Sequence, residues 1–182
     1  MESWELLDYK REKTGEYMER GAQMPPHRKH LVVHICIFNT RGEMLIQQRQ
    51  PFKKGWSDLW DFTVGGSAVA GDTSQQCAQR ELEEELGIKH SFEGVCPHLT
   101  LSADRVFDDI YIVEKDIDLE SLTLQKEEVQ AVKWASREEI DALLDAGKFI
   151  QYHRSLIDLL FYFKDCRSPF TSKDTTIPTK MG

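Results

Sequence analysis

One run of side chains is dense enough to do chemistry: Arg80-Glu81-Leu82-Glu83-Glu84-Glu85-Leu86-Gly87-Ile88. A helix turns through 100° per residue, so positions three and four apart share a face. Glu81, Glu84 and Glu85 then lie within an arc of about 100°, and Glu83 points away. Crowded carboxylates repel by about 1 kcal/mol per close pair even when solvated. A helix built only for solubility would place lysines four residues on. Here the residues four after Glu81, Glu83 and Glu84 are Glu85, Gly87 and Ile88. A hard divalent cation relieves the repulsion. Magnesium takes few carboxylates and leaves places for phosphate oxygens, which suits attack of water on phosphorus. Arg80, just ahead of the cluster, can clamp a carboxylate through a bidentate contact and aim it.

The same nine residues also suit a plain solvated helix face. Their surroundings weigh toward chemistry. Gly65-Gly66 and Gly71-Asp72 precede the helix and follow a strand, and glycine lets backbone approach a metal or phosphate closely. No lysine follows in the GxxxxGK spacing, which excludes a P-loop.

The helix needs a scaffold. Thr73 with Gln76 forms a capping box at its start, Ala78, Leu82 and Leu86 form its core stripe, and Gly87 ends it. Ahead of it, residues 4–8 and 16–20 read as a hairpin around Lys13-Thr14-Gly15. Leu31 to Phe38 reads as a buried strand, and Met44 to Gln48 as its partner across the Asn39-Thr40-Arg41-Gly42 turn. A basic and aromatic loop follows from Arg49 to Trp60, then a short strand from Phe62 to Gly65. Strands are expected near 92–102, 106–113 and 129–134, a helix capped by Ser136 and ending near Ala146, and a last helix over 151–164. This order predicts an α/β (α+β) fold, a mixed sheet with helices packed on it.

With 182 residues, 40% of them hydrophobic, the chain suits one domain, 1–165, opened by an N-terminal hairpin extension over 1–28. The polar segment 166–182 reads as a flexible tail. A net charge of −8 argues against a nucleic-acid partner bound by a basic surface, but metal ions can bridge an acidic site to an acidic substrate. Cys36, Cys77, Cys96 and Cys166 are widely spaced without a CxxC pair, as expected of reduced thiols in a cytoplasmic protein. No signal peptide is visible behind the acidic start, and no apolar run approaches the ~20 residues of a membrane span.

Gly66, five residues, Asp72, seven residues and Arg80 to Ile88 together resemble the Nudix box, GX5EX7REUXEEXGU. Every fixed position matches but one, where Asp72 stands for the family's first glutamate. The resemblance implies an α/β/α sandwich with a loop–helix–loop motif, Mg²⁺ (or Mn²⁺) held by Glu81, Glu84 and Glu85, and a small-molecule diphosphate substrate of the nucleoside-diphosphate-linked kind. Asp72, one methylene short, should weaken the bracing of the motif without abolishing activity. A broader likeness covers about 2–163. Trp4 to Asp8, Thr14-Gly15, His30-Leu31, Leu45 to Arg49 and Lys54 to Trp60 resemble the isopentenyl-diphosphate-isomerase-like branch of the Nudix proteins. The isomerases carry a catalytic cysteine and a metal-binding histidine where this chain has Gly65 and Ser67. The likeness therefore favours a hydrolase of that branch.

Other residues stand as candidates beside plainer roles. Arg49 and Lys53 (with Lys54) are candidate diphosphate contacts, and Phe52, Trp56 and Trp60 can stack on a base or prenyl-like group or simply anchor the loop. Gly65 and Gly66 are candidate substrate-binding backbone. His30 matches an isomerase metal ligand but lacks that site's partners, so a strand-edge histidine is the simpler reading. His34, in an apolar run, reads as a core histidine. Asp108-Asp109 and Glu127-Glu128 can supply a ligand or base from outside the box, with Glu128 the residue preferred for substrate binding; each pair suits surface charge as well.

The expected activity is metal-dependent hydrolysis of a phosphoanhydride, with Arg80, Glu81 and Glu84 catalytic and Glu81 the favoured base. An isopentenyl-diphosphate isomerase and a non-catalytic nucleotide sensor are the alternatives. A homodimer is compatible with the sequence.

Overall fold

The computed structural model describes residues 2–166; the tail from 167 lies outside them. Among the described residues, nine strands and three α-helices run in the order β1 (Ser3–Leu7), β2 (Lys13–Glu19), β3 (His30–Phe38), β4 (Met44–Arg49), β5 (Trp60–Asp61), β6 (Val64–Ser67), α1 (Ser74–Leu86), β7 (Leu99–Ser102), β8 (Val106–Glu114), β9 (Val129–Ala135), α2 (Arg137–Asp145) and α3 (Arg154–Phe163), with a single 3-10 turn at Leu119–Ser121 between β8 and β9. The main sheet is mixed: β3 pairs parallel with β8, and its other ladders are antiparallel.

Strand β3 is apolar on both faces because helices cover both. Val33, Ile35 and Ile37 pack with Ala78, Leu82 and Leu86 of α1. Cys36 and Phe38 pack with Ile140 and Leu144 of α2 and Ile157 and Leu160 of α3. Continuous apolar character is what a strand buried on both sides requires, and the result is the expected mixed α+β sandwich.

A split in this sheet makes room for a site. β3 and β4 pair only at Phe38 with Met44. Beyond that, β6 takes the place beside β3, and β4 turns to β5 and β9. Thr63 is buried in the fork: its hydroxyl accepts from the Ile37 amide at 2.9 Å and donates to the Leu45 carbonyl at 2.5 Å. One side chain so replaces the ladder bond the divergence removes.

Helix α1 starts on the expected Thr73–Gln76 capping box and stops at Gly87, left-handed at φ 70°, whose amide bonds the Glu83 carbonyl. Several expected boundaries move. The hairpin turn lies at residues 8–12 rather than at Lys13-Thr14-Gly15, because Asp8 accepts from the Lys10 and Glu12 amides and Arg11 adopts a left-handed φ of 68°. Only Leu99–Ser102 of 92–102 is strand, since only these residues find a partner on β8. The strand expected at Phe62–Gly65 is shifted to Val64–Ser67, the stretch that opposes β3. The last helix begins at Arg154, with His153 capping the Ser155 amide. Trp60, expected to end the loop, instead pairs with β4 together with Asp61.

The hairpin β1–β2 forms its own small sheet. It is tied to the sandwich by Ala70 N to Ser3 O at 2.7 Å, by Trp4 stacked on His30 at 4.1 Å, and by an ion pair of Arg11 with Asp109. No described helix is long and apolar enough to cross a membrane.

Candidate active site

The fork opens into a polar cleft of about 380 Å³. Glu81, Glu84 and Glu85 from α1, Gly65, Gly66 and Ser67 from β6, Arg49 from β4 and Glu128 from the loop before β9 all line it. Helical spacing placed the three glutamates on one face, and they share the cleft. Glu83 instead reaches toward Lys89 at 3.5 Å.

The three carboxylates differ in setting. Glu85 is only 4% exposed. Its one close donor is the Gln47 amide at 2.9 Å. Burial pushes its carboxyl up to about 8, Gln47 working against the shift and the nearby Glu81 with it. Burial also raises Glu81, against the pull of Arg80. Glu84 lies at the more open side.

Arg80 organises the motif, though not by a fork on one glutamate. Its Nη1 donates to Glu81 at 2.8 Å and Glu84 at 3.1 Å. Its Nη2 donates to Asp72 at 3.0 Å and to the Ser67 carbonyl at 3.1 Å. The guanidinium thus ties the acidic face to the turn ahead of the helix. Asp72, short as it is, reaches the arginine.

Gly66 must be glycine for the site to close. A Cβ built there falls 2.1 Å from Glu81 Cδ, well inside van der Waals contact. Gly65 faces the other way, opposite His34 on β3. A Cβ at 65 meets the imidazole at 2.7 Å. Histidine at 34 and a side chain at 65 therefore exclude one another in this arrangement.

Arg49 lines the cleft beside Asp61, with Nη1 4.0 Å from its carboxylate. Its buried Nε has no hydrogen-bond partner among the described residues. Lys53 is paired with Glu128 at 2.5 Å, so this candidate cation and candidate carboxylate neutralise each other and pin the 49–60 loop to the segment before β9. In that loop Trp56 is exposed at the cleft rim with φ 53°, Phe52 is exposed outside it, and Trp60 is half-buried against the core.

Asp108 and Asp109 alternate sides of β8 and act separately. Asp108 pairs with His34 Nδ1 at 2.8 Å. Asp109 is fully buried and held by Arg11 and by Thr100 at 2.6 Å. Neither lines the cleft, because strand alternation turns them elsewhere. His30 is buried, stacked on Trp4 and 3.4 Å from Ser67 Oγ.

Gln47, Asp61 and Tyr152 also belong to the site, although no sequence motif marks them as functional. Tyr152 donates to Asp61 at 2.9 Å, and both line the cleft with His34. Gln47 opens the polar half of β4, Gln47-Gln48-Arg49, and only its burial sets it apart from its neighbours.

The NUDIX domain family model matches residues 28–159. An uncharacterized Nudix hydrolase of Listeria monocytogenes is 44% identical over 165 residues, covering 91% of this chain and 96% of that protein. The isopentenyl-diphosphate Delta-isomerase of Escherichia coli is 24% identical, covering 78% of this chain and 80% of that one. A crystal structure of a Deinococcus radiodurans protein superposes with a TM-score of 0.71 at 22% identity, over 87% of this chain and 97% of that one, which establishes the shared fold. With a family match over well more than half its length, the chain belongs to the Nudix hydrolase family of enzymes.

Proposed function

We propose that the cleft hydrolyses a phosphoanhydride in a nucleoside diphosphate derivative with the help of Mg²⁺ or Mn²⁺. The observation that carries this is Glu85: a buried carboxyl whose one close donor is a neutral amide, facing Glu81 in the same cleft. Such groups are poor carboxylates alone and good ligands for a hard cation. Among the described residues, no three carboxylate, imidazole or thiol groups are already gathered into a shell. Arg80 holds Glu81 and Glu84 instead. The donor set is nonetheless all oxygen and anionic, which suits these ions and not softer ones.

In this reading Glu84 and Glu85 hold metal, while Glu81 holds metal or takes the proton of the attacking water. The cation supplies charge neutralisation at the diphosphate and a more acidic water. Arg80 keeps the glutamates aimed. Arg49, with a buried donor free of partners, grips a phosphate oxygen. Gly66 keeps the backbone low enough for Glu81 to reach the cleft.

A prenyl-diphosphate isomerase is disfavoured by chemistry and space. The thiol it would use at 65 is absent, and a side chain there would displace His34. The test is a screen of diphosphate compounds with Mg²⁺ and Mn²⁺, reading products by mass. Release of a phosphate-bearing product supports hydrolysis. Isomerised isopentenyl diphosphate without phosphate release, or calorimetric binding without turnover, would overturn it.

A further inference from the structure

Among the polar groups around the cleft, His34 is one to which the reaction assigns no task. It sits in the middle of β3 and its ring edge reaches the cleft. Nδ1 is committed to Asp108 at 2.8 Å. Nε2 faces the Tyr152 hydroxyl at 3.5 Å, the outer limit of a hydrogen bond. That hydroxyl spends its own proton on Asp61 at 2.9 Å, so it can at best accept weakly from Nε2–H. Gly65 leaves this edge uncovered, since any side chain there would fall 2.8 Å from Nε2. Phe62 and Tyr152 meet the ring edge-on and fix its plane.

We propose that His34 is a substrate-contacting residue that donates Nε2–H to a non-bridging oxygen of the bound diphosphate, with Asp108 as the residue that positions it. A ring fixed on one nitrogen and met only by a long, weak contact on the other is preorganised for such an interaction. Its charge state agrees. Burial opposes the imidazolium, but Asp108 outweighs it, with help from Asp61 and Glu85, and the ring is raised to about 9. The groups facing it are Asp108 on β8, Asp61 on β5, Glu85 on α1 and Tyr152 ahead of α3. His34 and Arg49 thereby place positive charge in a cleft otherwise dominated by carboxylates.

This inference rests on the diphosphate reading of the same cleft, and one experiment separates the two. Methylenediphosphonate, which cannot be hydrolysed, is titrated into the full chain with Mg²⁺ and then with Mn²⁺. Calorimetry reads binding for both. The Mg²⁺ sample also gives the His34 ring nitrogen resonances by NMR. The expected result is binding with a shift of the Nε2 resonance, and a dissociation constant about 10- to 100-fold higher in His34→Gln, the loss of one charge-assisted hydrogen bond. Asp108→Asn should weaken binding less and lower the pH at which the His34 ring titrates. Binding that leaves the ring resonance still and is equal in wild type and His34→Gln overturns the role of His34 while the diphosphate reading stands. Absence of binding with either metal overturns both. Should His34→Gln fail to fold, the wild-type ring resonance decides alone.

Discussion

A Cβ at position 66 would lie 2.1 Å from Glu81 Cδ and 2.4 Å from its Oε1. The backbone of β6 and the carboxyl of α1 are in direct register across the cleft, with no room for a methyl group. The obstructed atoms are the far end of a flexible side chain, so the fold can yield where the site cannot.

Gly66→Ala should therefore cost activity far more than stability. The expected outcome is a fall in kcat/KM of at least about 100-fold, in the range for misplacing a catalytic group by an ångström. The thermal midpoint should change by only a few degrees. Steady-state kinetics beside a melting curve checks this; unchanged kinetics would show that Glu81 need not sit against β6.

Glu85→Gln keeps the shape of the buried group and its contact region with Gln47 but removes the charge. Because burial already disfavours that charge, the variant should fold at least as stably as wild type in chelator. Turnover should fall by about 100-fold or more, and the gain in melting temperature on adding Mg²⁺ should shrink or vanish. Full turnover in this variant would reject the ligand assignment.

Arg11→Ala strips the cation from fully buried Asp109, leaving Thr100 as its remaining side-chain partner. Removing one partner of a buried pair costs about 3–5 kcal/mol, and the part exposure of Arg11 argues for the lower end. Urea unfolding at pH 7 measures it. Arg11→Ala with Asp109→Asn should recover part of the loss, which a purely steric role for Arg11 would not allow.

Burial lowers His30 from 6.5 to about 4. The unfolded chain then binds the proton more tightly than the folded one. The stability from neutral His30 is complete above 6.5, lost as pH falls toward 4, and flat below. The span is on the order of 2 kcal/mol after allowing for partial screening. Denaturation at pH 7 and pH 4.5 should give a smaller difference in His30→Gln than in wild type. Equal differences would place His30 outside the acid response.

The hydrolytic motif was legible in the chain because its geometry is local. Helical pitch alone puts Glu81, Glu84 and Glu85 on one face, and Thr73, Gln76 and Gly87 bound the helix through contacts spanning a few residues. The same holds for β3, whose apolar run needs cover on both sides. What the linear order left open depends on strand pairing. Only the divergence of β3 from β4 creates the fork that Thr63 bridges and in which the cleft opens. Only the parallel register of β3 on β8 sets His34 on Asp108 and turns Asp109 to Arg11. Lys53 and Glu128 neutralise each other across 75 residues. A side chain's face in a strand follows from its neighbours, so a core histidine and a cleft histidine look alike until the sheet is assembled.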